Sequence, residues 1–179
     1  MPIDARVRIM SPSRLKLVDG TLELLNAALE GRNALEGLLG VTVAEGWEGF
    51  PDALPILRAS YQGKPGGHVW GSLFFIEVEA STLVGFGGFK GPPSPDGVVE
   101  IGYAIAPAFR GRGLATDAVA QMVQRAFADV AVRAVDAHTL GHDNPSTGVL
   151  QKTGFRKIAE IEDPDEGPIW QWRLARYTP

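Results

Sequence analysis

The segment from Val98 to Thr139 constrains the fold more than any other part of this 179-residue sequence. Val98–Ile105 has the composition of a strand, and Pro107 ends it because proline cannot donate a hydrogen bond to a sheet ladder. A helix begins near Gly113, and Val132–Thr139 returns as a strand. The apolar positions of the helix recur at helical spacing: Leu114, Ala115, Ala118, Val119, Met122, Val123, Ala126 and Phe127. A strand–helix–strand unit of this kind predicts two parallel strands in one sheet.

Short segments on both sides of this unit predict further strands, because they alternate or are apolar over five to eight residues. They are Arg14–Val18, Ser72–Glu79, Thr82–Phe89, Ile158–Glu162 and Ile169–Leu174. Only a very short connection separates Ser72–Glu79 from Thr82–Phe89, so this pair is interpreted as an antiparallel hairpin.

Helical spacing predicts four shorter helices, which begin near Thr21, lie within Ala34–Leu39 and Leu54–Tyr61, and cover Ser146–Thr153 before a glycine cap at Gly154. The stretch between the second and third contains Gly46, Gly49 and Pro51 and predicts a loop. Together the elements predict an α/β (α+β) fold with a mixed, mostly antiparallel central sheet flanked by helices and one parallel β-α-β unit. A single domain over residues 1–179 is the simplest interpretation, with a flexible N-terminal segment over residues 1–13.

The turn between the first strand of the parallel unit and its helix has the composition of an anion site. Gly111 and Gly113 allow the main chain to approach an anion closely, and Arg110 and Arg112 add positive charge. The first N–H groups of a helix have no intrahelical partner, and the helix dipole adds positive potential there. A pyrophosphate would fit this turn, and an ordinary basic turn is the alternative. The dinucleotide fingerprint is excluded because residue 116 is Thr.

Three blocks of the sequence resemble the GNAT superfamily of N-acetyltransferases, in the order in which that family has them. Arg110–Ala115 resembles the acetyl-CoA pyrophosphate loop, Glu100–Ile105 resembles the central strand, and Asn144–Phe155 resembles the second cofactor segment. The closest resemblance is to the branch of ribosomal-protein N-terminal acetyltransferases. It implies a GNAT-like fold and transfer of an acetyl group from acetyl-CoA to a primary amine.

The resemblance also implies which residues bind acetyl-CoA. The end of the central strand would bind the pantetheine arm where that strand splays from its neighbour at a bulge, and the amides of the turn would bind the pyrophosphate. The implied set is Tyr103, Ala104, Ile105, Ala106, Arg110, Gly111, Arg112, Gly113, Leu114, Ala115, Thr116, Asn144 and Ser146. Asn144 is one residue closer to Gly154 than in the common spacing, so either Asp143 or Asn144 takes the cofactor-contacting position.

Three residues are the candidates for chemistry. The resemblance implies that the N–H of Ile105 polarises the thioester carbonyl and that Ser146 is the acid for the leaving thiolate. Leu150 stands where many members of the family carry a tyrosine acid, and its side chain cannot donate a proton. Glu100 is the candidate base, because a primary amine with a pKa near 10 must lose a proton before it attacks. A solvated glutamate near a strand start is the alternative.

Composition excludes several other mechanisms. The chain has no cysteine, which excludes disulfides, thiolate metal sites and cysteine nucleophiles. Direct attack on acetyl-CoA in a ternary complex is therefore expected, without a covalent enzyme intermediate. The three histidines, His68, His138 and His142, have no metal-ligand spacing, so no metal is expected. Structural roles are expected for His138 and His142.

Charge and hydropathy limit the partners. The formal net charge is −4 without a basic stripe, so no nucleic acid is expected. No apolar run approaches the roughly 20 residues of a membrane span, and the start lacks a secretory signal, so no membrane partner and a cytoplasmic location are expected. The expected acceptor is a small-molecule amine or a protein N-terminus, and a homodimer is left open. A non-catalytic acyl-CoA-binding sensor module is the alternative function.

Overall fold

One mixed sheet of eight strands organises the computed structural model, which describes residues 12–61 and 69–177 of the chain. The strands are β1 (Leu15–Asp19), β2 (Thr42–Val43), β3 (Ser72–Glu77), β4 (Thr82–Phe89), β5 (Val98–Ile105), β6 (Ala134–Leu140), β7 (Arg156–Asp163) and β8 (Gly167–Ala175). Seven of them follow the order β1-β3-β4-β5-β6-β8-β7, and β2 pairs with β4. Most neighbours are antiparallel, so the predicted mixed sheet is confirmed.

Five α-helices flank the sheet in the described residues: α1 (Leu22–Glu30), α2 (Arg32–Leu39), α3 (Ala53–Ser60), α4 (Leu114–Ala128) and α5 (Pro145–Lys152). The helix predicted near Thr21 is confirmed, with the Thr21 side chain accepting from the N–H of Leu24. The predicted cap after α5 is confirmed as well, because Gly154 has a φ of 90° and the N–H of Phe155 donates to the Leu150 carbonyl at 2.9 Å. Within the described residues, none of the helices has the length and apolar character to cross a membrane.

The parallel unit that the sequence predicts is present. β5 and β6 pair in parallel, from Val98↔Ala134 to Glu100↔Asp136, and α4 connects them. The helix buries the face that its periodicity predicts: Leu114, Ala118, Val119, Met122, Val123 and Ala126.

The sheet separates two apolar cores. One face packs against α4 and α5, and the other packs against α1, α2 and α3, where Trp47 stacks on Phe74 with ring centroids 5.4 Å apart. Because successive side chains of a strand point to opposite faces, Ile101 and Ile105 of β5 enter the core on the α4 side. Glu100 and the small residues that follow it on alternate positions face the other side, which we call the acceptor face.

One element was not predicted. Within the stretch interpreted as a loop, Thr42–Val43 pairs in parallel with the start of β4. The N–H of Thr42 donates to Ser81 O at 3.1 Å, and the N–H of Ala44 donates to Leu83 O at 2.9 Å. A strand of two residues has no periodicity to reveal it, and it forms because β5 leaves this part of the β4 edge uncovered.

The start of β1 is held to α4 through one carboxylate. Asp117 accepts from Ser13 Oγ at 3.0 Å and from the N–H groups of Arg14 and Leu15 at 2.8 and 2.9 Å. The Arg14 guanidinium also donates to the carbonyl of Arg112, in the turn before α4. Of the predicted flexible segment 1–13, residues 1–11 lie outside the described residues, and Ser13 is fixed by these contacts.

Candidate active site

β5 and β6 separate beyond Glu100 and Asp136, and the opening between them is the centre of the candidate site. Their parallel pairing covers three residues of each strand. β5 then continues beside β4 to Ile105, whereas β6 continues beside β8 to Leu140. A gap therefore opens in the sheet at the carboxyl ends of both parallel strands.

Main-chain groups of Tyr103 and Ile105 point into this gap. The N–H of Ala106 donates to Val84 O at 2.7 Å, so Ala106 and, two residues before it, Ala104 direct their main-chain groups at β4. Because the main-chain groups of successive residues point to opposite sides of a strand, those of Tyr103 and Ile105 point away from β4 and into the gap. Of the four residues predicted to bind pantetheine, only these two therefore offer main-chain groups to a ligand in the gap.

The bulge expected in the central strand is absent from it, and that expectation was wrong. β5 runs in unbroken register with β4, from Ile101↔Phe89 to Ile105↔Gly85. The irregularity lies between β3 and β4, where the register skips Val84. Divergence of β6 from β5, rather than an extra residue in β5, opens the gap.

The turn between β5 and α4 leaves the start of the helix open. A 3₁₀ turn at Pro107–Phe109 precedes it, and Gly111 and Gly113 have φ of 73° and 79°, in the region that favours glycine. A Cβ built on either glycine meets no heavy atom within 4 Å. Gly113 is the N-cap, and no side chain caps α4 there, so the N–H groups of its first turn are available to an anion.

The two arginines of this turn brace it from within. Arg110 Nε donates to Ile105 O at 2.9 Å, and Arg112 Nη2 donates to Ala108 O at 3.0 Å. The Arg112 guanidinium also lies over the ring of Phe109, 4.8 Å from its centroid. Each guanidinium has further N–H groups that can donate to a phosphate. The sequence showed the positive charge of these residues but not the bracing contacts.

The second cofactor segment starts α5 with a complete capping box. Asn144 Oδ1 accepts from the N–H groups of Ser146 at 2.9 Å and Thr147 at 3.3 Å, and Thr147 Oγ1 accepts from the N–H of Asn144 at 3.2 Å. Asn144 Nδ2 donates to His142 O at 2.8 Å. These contacts leave a single Nδ2–H of Asn144 for a ligand. Asp143 is exposed beside it.

The side chain of Tyr103 connects β5 to α5, a role that sequence reasoning missed because it considered only the main chain. The hydroxyl donates to Ser146 O at 3.4 Å. Burial raises the pKa of the Tyr103 phenol to about 12, and a hydrogen bond with the Ser146 side chain opposes that rise. The half-buried Ser146 is thereby held beside the end of β5.

Glu100 forms a polar cluster with His138 and Lys90 on the acceptor face. Glu100 Oε1 lies 2.8 Å from His138 Nδ1, and the same oxygen accepts from the Lys90 ammonium. The side chains of Glu100 and His138 are 28% and 25% exposed, so solvent and ligands can reach them. His138 lies two residues beyond Asp136 on β6, at the point where the gap begins.

A second carboxylate on this face is fully paired. Asp136 accepts from Arg173 Nε at 2.7 Å and Nη2 at 2.8 Å, and from Gln171 Nε2 at 2.9 Å. These hydrogen bonds raise the pKa of the Arg173 guanidinium, and its charge balances that of the buried carboxylate. Asp136 is therefore held in a structural ion pair with Arg173, which leaves Glu100 as the candidate for a proton acceptor.

Two other residues singled out in the sequence contribute no side chain to the gap. Leu150 is completely buried in the core on the α4 side, and His142 is exposed in the loop before α5. His68 lies outside the described residues. Across residues 12–61 and 69–177, no group of three or more His, Asp or Glu side chains is placed to hold a metal ion.

The sequence matches known acetyltransferases. The family model described as "Acetyltransferase (GNAT) domain" matches residues 42–156, which is more than half of the chain. The relative "Uncharacterized N-acetyltransferase YjdG" of Bacillus subtilis (strain 168) is 27% identical over 150 residues, which cover 82% of this chain and 89% of that protein.

Two solved structures share the fold. Spermidine N-acetyltransferase from Vibrio cholerae, in complex with CoA and spermine, has a TM-score of 0.64 at 13% identity and covers 92% of this chain and 96% of its own. Ribosomal-protein-S5-alanine acetyltransferase from Vibrio fischeri has a TM-score of 0.61 at 14% identity and covers 92% and 94%. The scores are nearly equal, so the fold does not favour the ribosomal-protein branch over the other.

Proposed function

This chain belongs to the GNAT family of acetyltransferases, and we propose that it transfers the acetyl group of acetyl-CoA to a primary amine by direct attack in a ternary complex. The observation that carries the proposal is the gap between β5 and β6, with the open start of α4 and the first turn of α5 beside it. The sequence has no cysteine that would form a thioester intermediate. The proposed acceptor is a small-molecule amine or a protein N-terminus.

The residues around the gap fit acetyl-CoA. The first-turn amides of α4 and the N–H groups of Gly111 and Gly113 would hold the pyrophosphate, where both glycines border open space. The main-chain groups of Tyr103 would bind the pantetheine arm as an extra strand would, since β6 has left that side of β5, and the N–H of Ile105 remains for the thioester carbonyl. Bound there, acetyl-CoA supplies an acetyl group activated as a thioester.

Ile105 would stabilise the charge that develops during attack. When an amine adds to a thioester carbonyl, negative charge collects on the carbonyl oxygen, and a positioned N–H donor lowers the barrier most at that moment. The Ile105 carbonyl is already bound by Arg110 Nε, which fixes the peptide orientation around the donor.

Ser146 would assist departure of the sulfur. Its hydroxyl lies in the first turn of α5 and takes no part in the capping box, so it can donate to a thiolate. The contact from Tyr103 to the Ser146 carbonyl holds this turn against β5. Ser146 would thus take the role of the tyrosine acid that many family members carry where this chain has Leu150.

A side chain on the acceptor face would accept a proton from the amine. Glu100 is the carboxylate on this face that has no arginine partner among the described residues, and the His138 imidazole in contact with it is a second group that could accept the proton. Room for the acceptor comes from Gly102, where an added Cβ would meet no heavy atom within 4 Å, whereas Gly49 packs against the side chain of Ala104.

A non-catalytic acyl-CoA sensor is the second candidate function. Leu150 favours it, because a buried leucine stands where many family members carry an acidic tyrosine. A sensor would need the cofactor-binding groups but neither Ser146 nor Glu100.

Steady-state release of CoA from acetyl-CoA with a panel of amines tests the proposal. The panel contains spermidine, an aminoglycoside, a small amino metabolite and a peptide with a free N-terminus, and calorimetry compares CoA with ATP and NAD. We expect binding of CoA alone and turnover of at least one amine class. Binding of CoA without acetyl transfer would support the sensor, and binding of ATP or NAD in preference to CoA would contradict both functions.

A further inference from the structure

The proposed transfer requires a group that takes a proton from the amine, and we infer that this group is His138, with Glu100 as the residue that positions it. The inference rests on the proposed function and names the atom that performs one of its steps. Its basis is the contact between Glu100 Oε1 and His138 Nδ1 at 2.8 Å.

The contact determines which ring nitrogen is basic. Glu100 Oε1 also accepts from the Lys90 ammonium, so the same carboxylate oxygen is the acceptor in both contacts. An ionised carboxylate can only accept, so Nδ1 of His138 carries the hydrogen. The neutral imidazole then keeps its lone pair on Nε2, which is the same arrangement by which a carboxylate orients the histidine of a catalytic triad.

The position of the pair suits the reaction. His138 lies on β6 just where that strand leaves β5, and the main-chain groups of Ile105 point into the same gap. His138 and Glu100 are both partly exposed on the acceptor face, and β5 and β6 contribute no residue to the apolar core that the described residues form on that side of the sheet. His138 thus lies beside the gap with a side chain that is open to solvent.

The charged groups around His138 balance one another. Glu100 pairs with Lys90, and Asp136 on the same strand pairs with Arg173 of β8. Protonation of the imidazole would therefore add one positive charge 2.8 Å from the Glu100 carboxylate. Imidazole is also the side chain best able to exchange a proton near neutral pH.

The step balances as follows. An ammonium N–H bond breaks, the proton moves to Nε2 of His138, and the electron pair stays on the amine nitrogen. That nitrogen forms a bond to the thioester carbonyl carbon, the C–S bond breaks, and its electron pair goes to sulfur. The second amine proton leaves as the amide forms, the Ser146 hydroxyl gives its proton to the thiolate and takes up this one in exchange, and the imidazolium returns its proton to solvent.

The rival acceptor is the other carboxylate oxygen, Glu100 Oε2, which would act directly. Four variants separate the two: His138→Gln, Glu100→Gln, Glu100→Ala and, as a matched control, His142→Gln in the exposed loop before α5. Each is assayed for kcat/KM at pH 7 and pH 9 with the best amine of the panel. Circular dichroism and CoA calorimetry check that folding and cofactor affinity are retained.

We expect His138→Gln to lose about 10²-fold in kcat/KM at pH 7, the typical contribution of a positioned base. The deficit should shrink at pH 9, because more amine then arrives already deprotonated. Glu100→Gln keeps an oxygen that accepts from Nδ1, so its loss should be smaller, about tenfold. The His142→Gln control should match the parent, and CoA affinity should be the same in all variants.

The imidazole tautomer provides a readout that does not depend on turnover. Nitrogen NMR of the parent should show His138 hydrogenated at Nδ1, and Glu100→Ala should abolish that preference. A merely structural histidine would show no matching loss of kcat/KM at pH 7.

Two results overturn the inference by itself: His138→Gln as active as the parent at pH 7, or Glu100→Gln more damaged than His138→Gln. The second would assign the step to Glu100 Oε2. A parent that binds CoA and acetylates no amine of the panel would overturn the proposed transferase function and the role of His138 with it.

Discussion

The two helices that border the gap begin in opposite ways. α4 begins at Gly113, with a left-handed φ of 79°, without a capping side chain and with open space around the turn. α5 begins at Asn144, whose side chain accepts from two first-turn N–H groups and whose own N–H is bound by Thr147. The start of α4 therefore retains donors for a ligand, whereas α5 uses its donors to stabilise itself.

The difference shows that two segments with the same predicted ligand offer it different groups. Both were predicted to contact acetyl-CoA. In α4 the main chain would be the binding surface, and the arginines of the turn brace it. In α5 the first-turn N–H groups are occupied by the cap, so the proposed contribution to chemistry is that of a side chain, the hydroxyl of Ser146.

The largest expected effect tests that side chain. Ser146→Ala should lower kcat by about 10²-fold and change the KM for acetyl-CoA much less, because a positioned donor to the leaving thiolate acts mainly in the transition state. Ser146→Thr, which keeps a hydroxyl, should retain most of the activity. Steady-state kinetics on both variants measures this, and a loss confined to acetyl-CoA binding would reassign Ser146 to cofactor positioning.

The next effect concerns the open start of α4. Gly113→Val should weaken CoA binding about tenfold or more, because the added side chain obstructs charge-assisted hydrogen bonds from the helix start. Gly40→Val is the matched control: Gly40 has a φ of 69° and open surroundings, but it ends α2. Both variants share the backbone strain of a branched residue in this region, so their stabilities should fall alike. Equal CoA affinities in calorimetry would contradict the site.

A third substitution tests the closed start of α5. Asn144→Ala should lower the free energy of unfolding by about 1 kcal/mol, the usual cost of losing an N-cap. Asn144→Asp should retain the cap, since a carboxylate accepts the same N–H groups. Denaturant unfolding of the three proteins measures the difference. If Asn144→Ala left the free energy of unfolding unchanged but weakened CoA binding strongly, the main role of Asn144 would be to bind the ligand rather than to cap α5.

The smallest effect concerns the contact between β5 and α5. Tyr103→Phe should cost less than about 1 kcal/mol at neutral pH, because it removes one long hydrogen bond. The pKa of Tyr103 rises from 10 to about 12 on folding, so stability that is present below pH 10 should be lost as pH rises to 12. The free energy of unfolding of Tyr103→Phe should fall less than that of the parent between pH 10 and pH 12. Tyr177→Phe removes an exposed phenol, so its free energy of unfolding should fall as much as that of the parent. Parallel curves for parent and Tyr103→Phe would contradict the burial of this hydroxyl.

Elements long enough to show their pattern of apolar and polar residues were predictable from the sequence. The helical period of α4, the apolar runs of β3 and β4 and the alternation of β5 are local properties, and each element lies within a few residues of its predicted bounds. The strand Thr42–Val43 was missed because it is shorter than one period and depends on an edge that β4 offers. The bulge was misplaced because register depends on how neighbouring strands pair.

The sequence by itself determined the open turn at Gly111–Gly113 and the start of α5, because glycine φ angles and capping residues act within a few positions of the chain. Tertiary structure alone decided the gap and its side chains. His138 meets Glu100 across 38 residues, and Tyr103 meets Ser146 across 43. Such contacts follow from the pairing of β5 with β6 over only three residues, and strand register is a property of the assembled sheet that no single segment encodes.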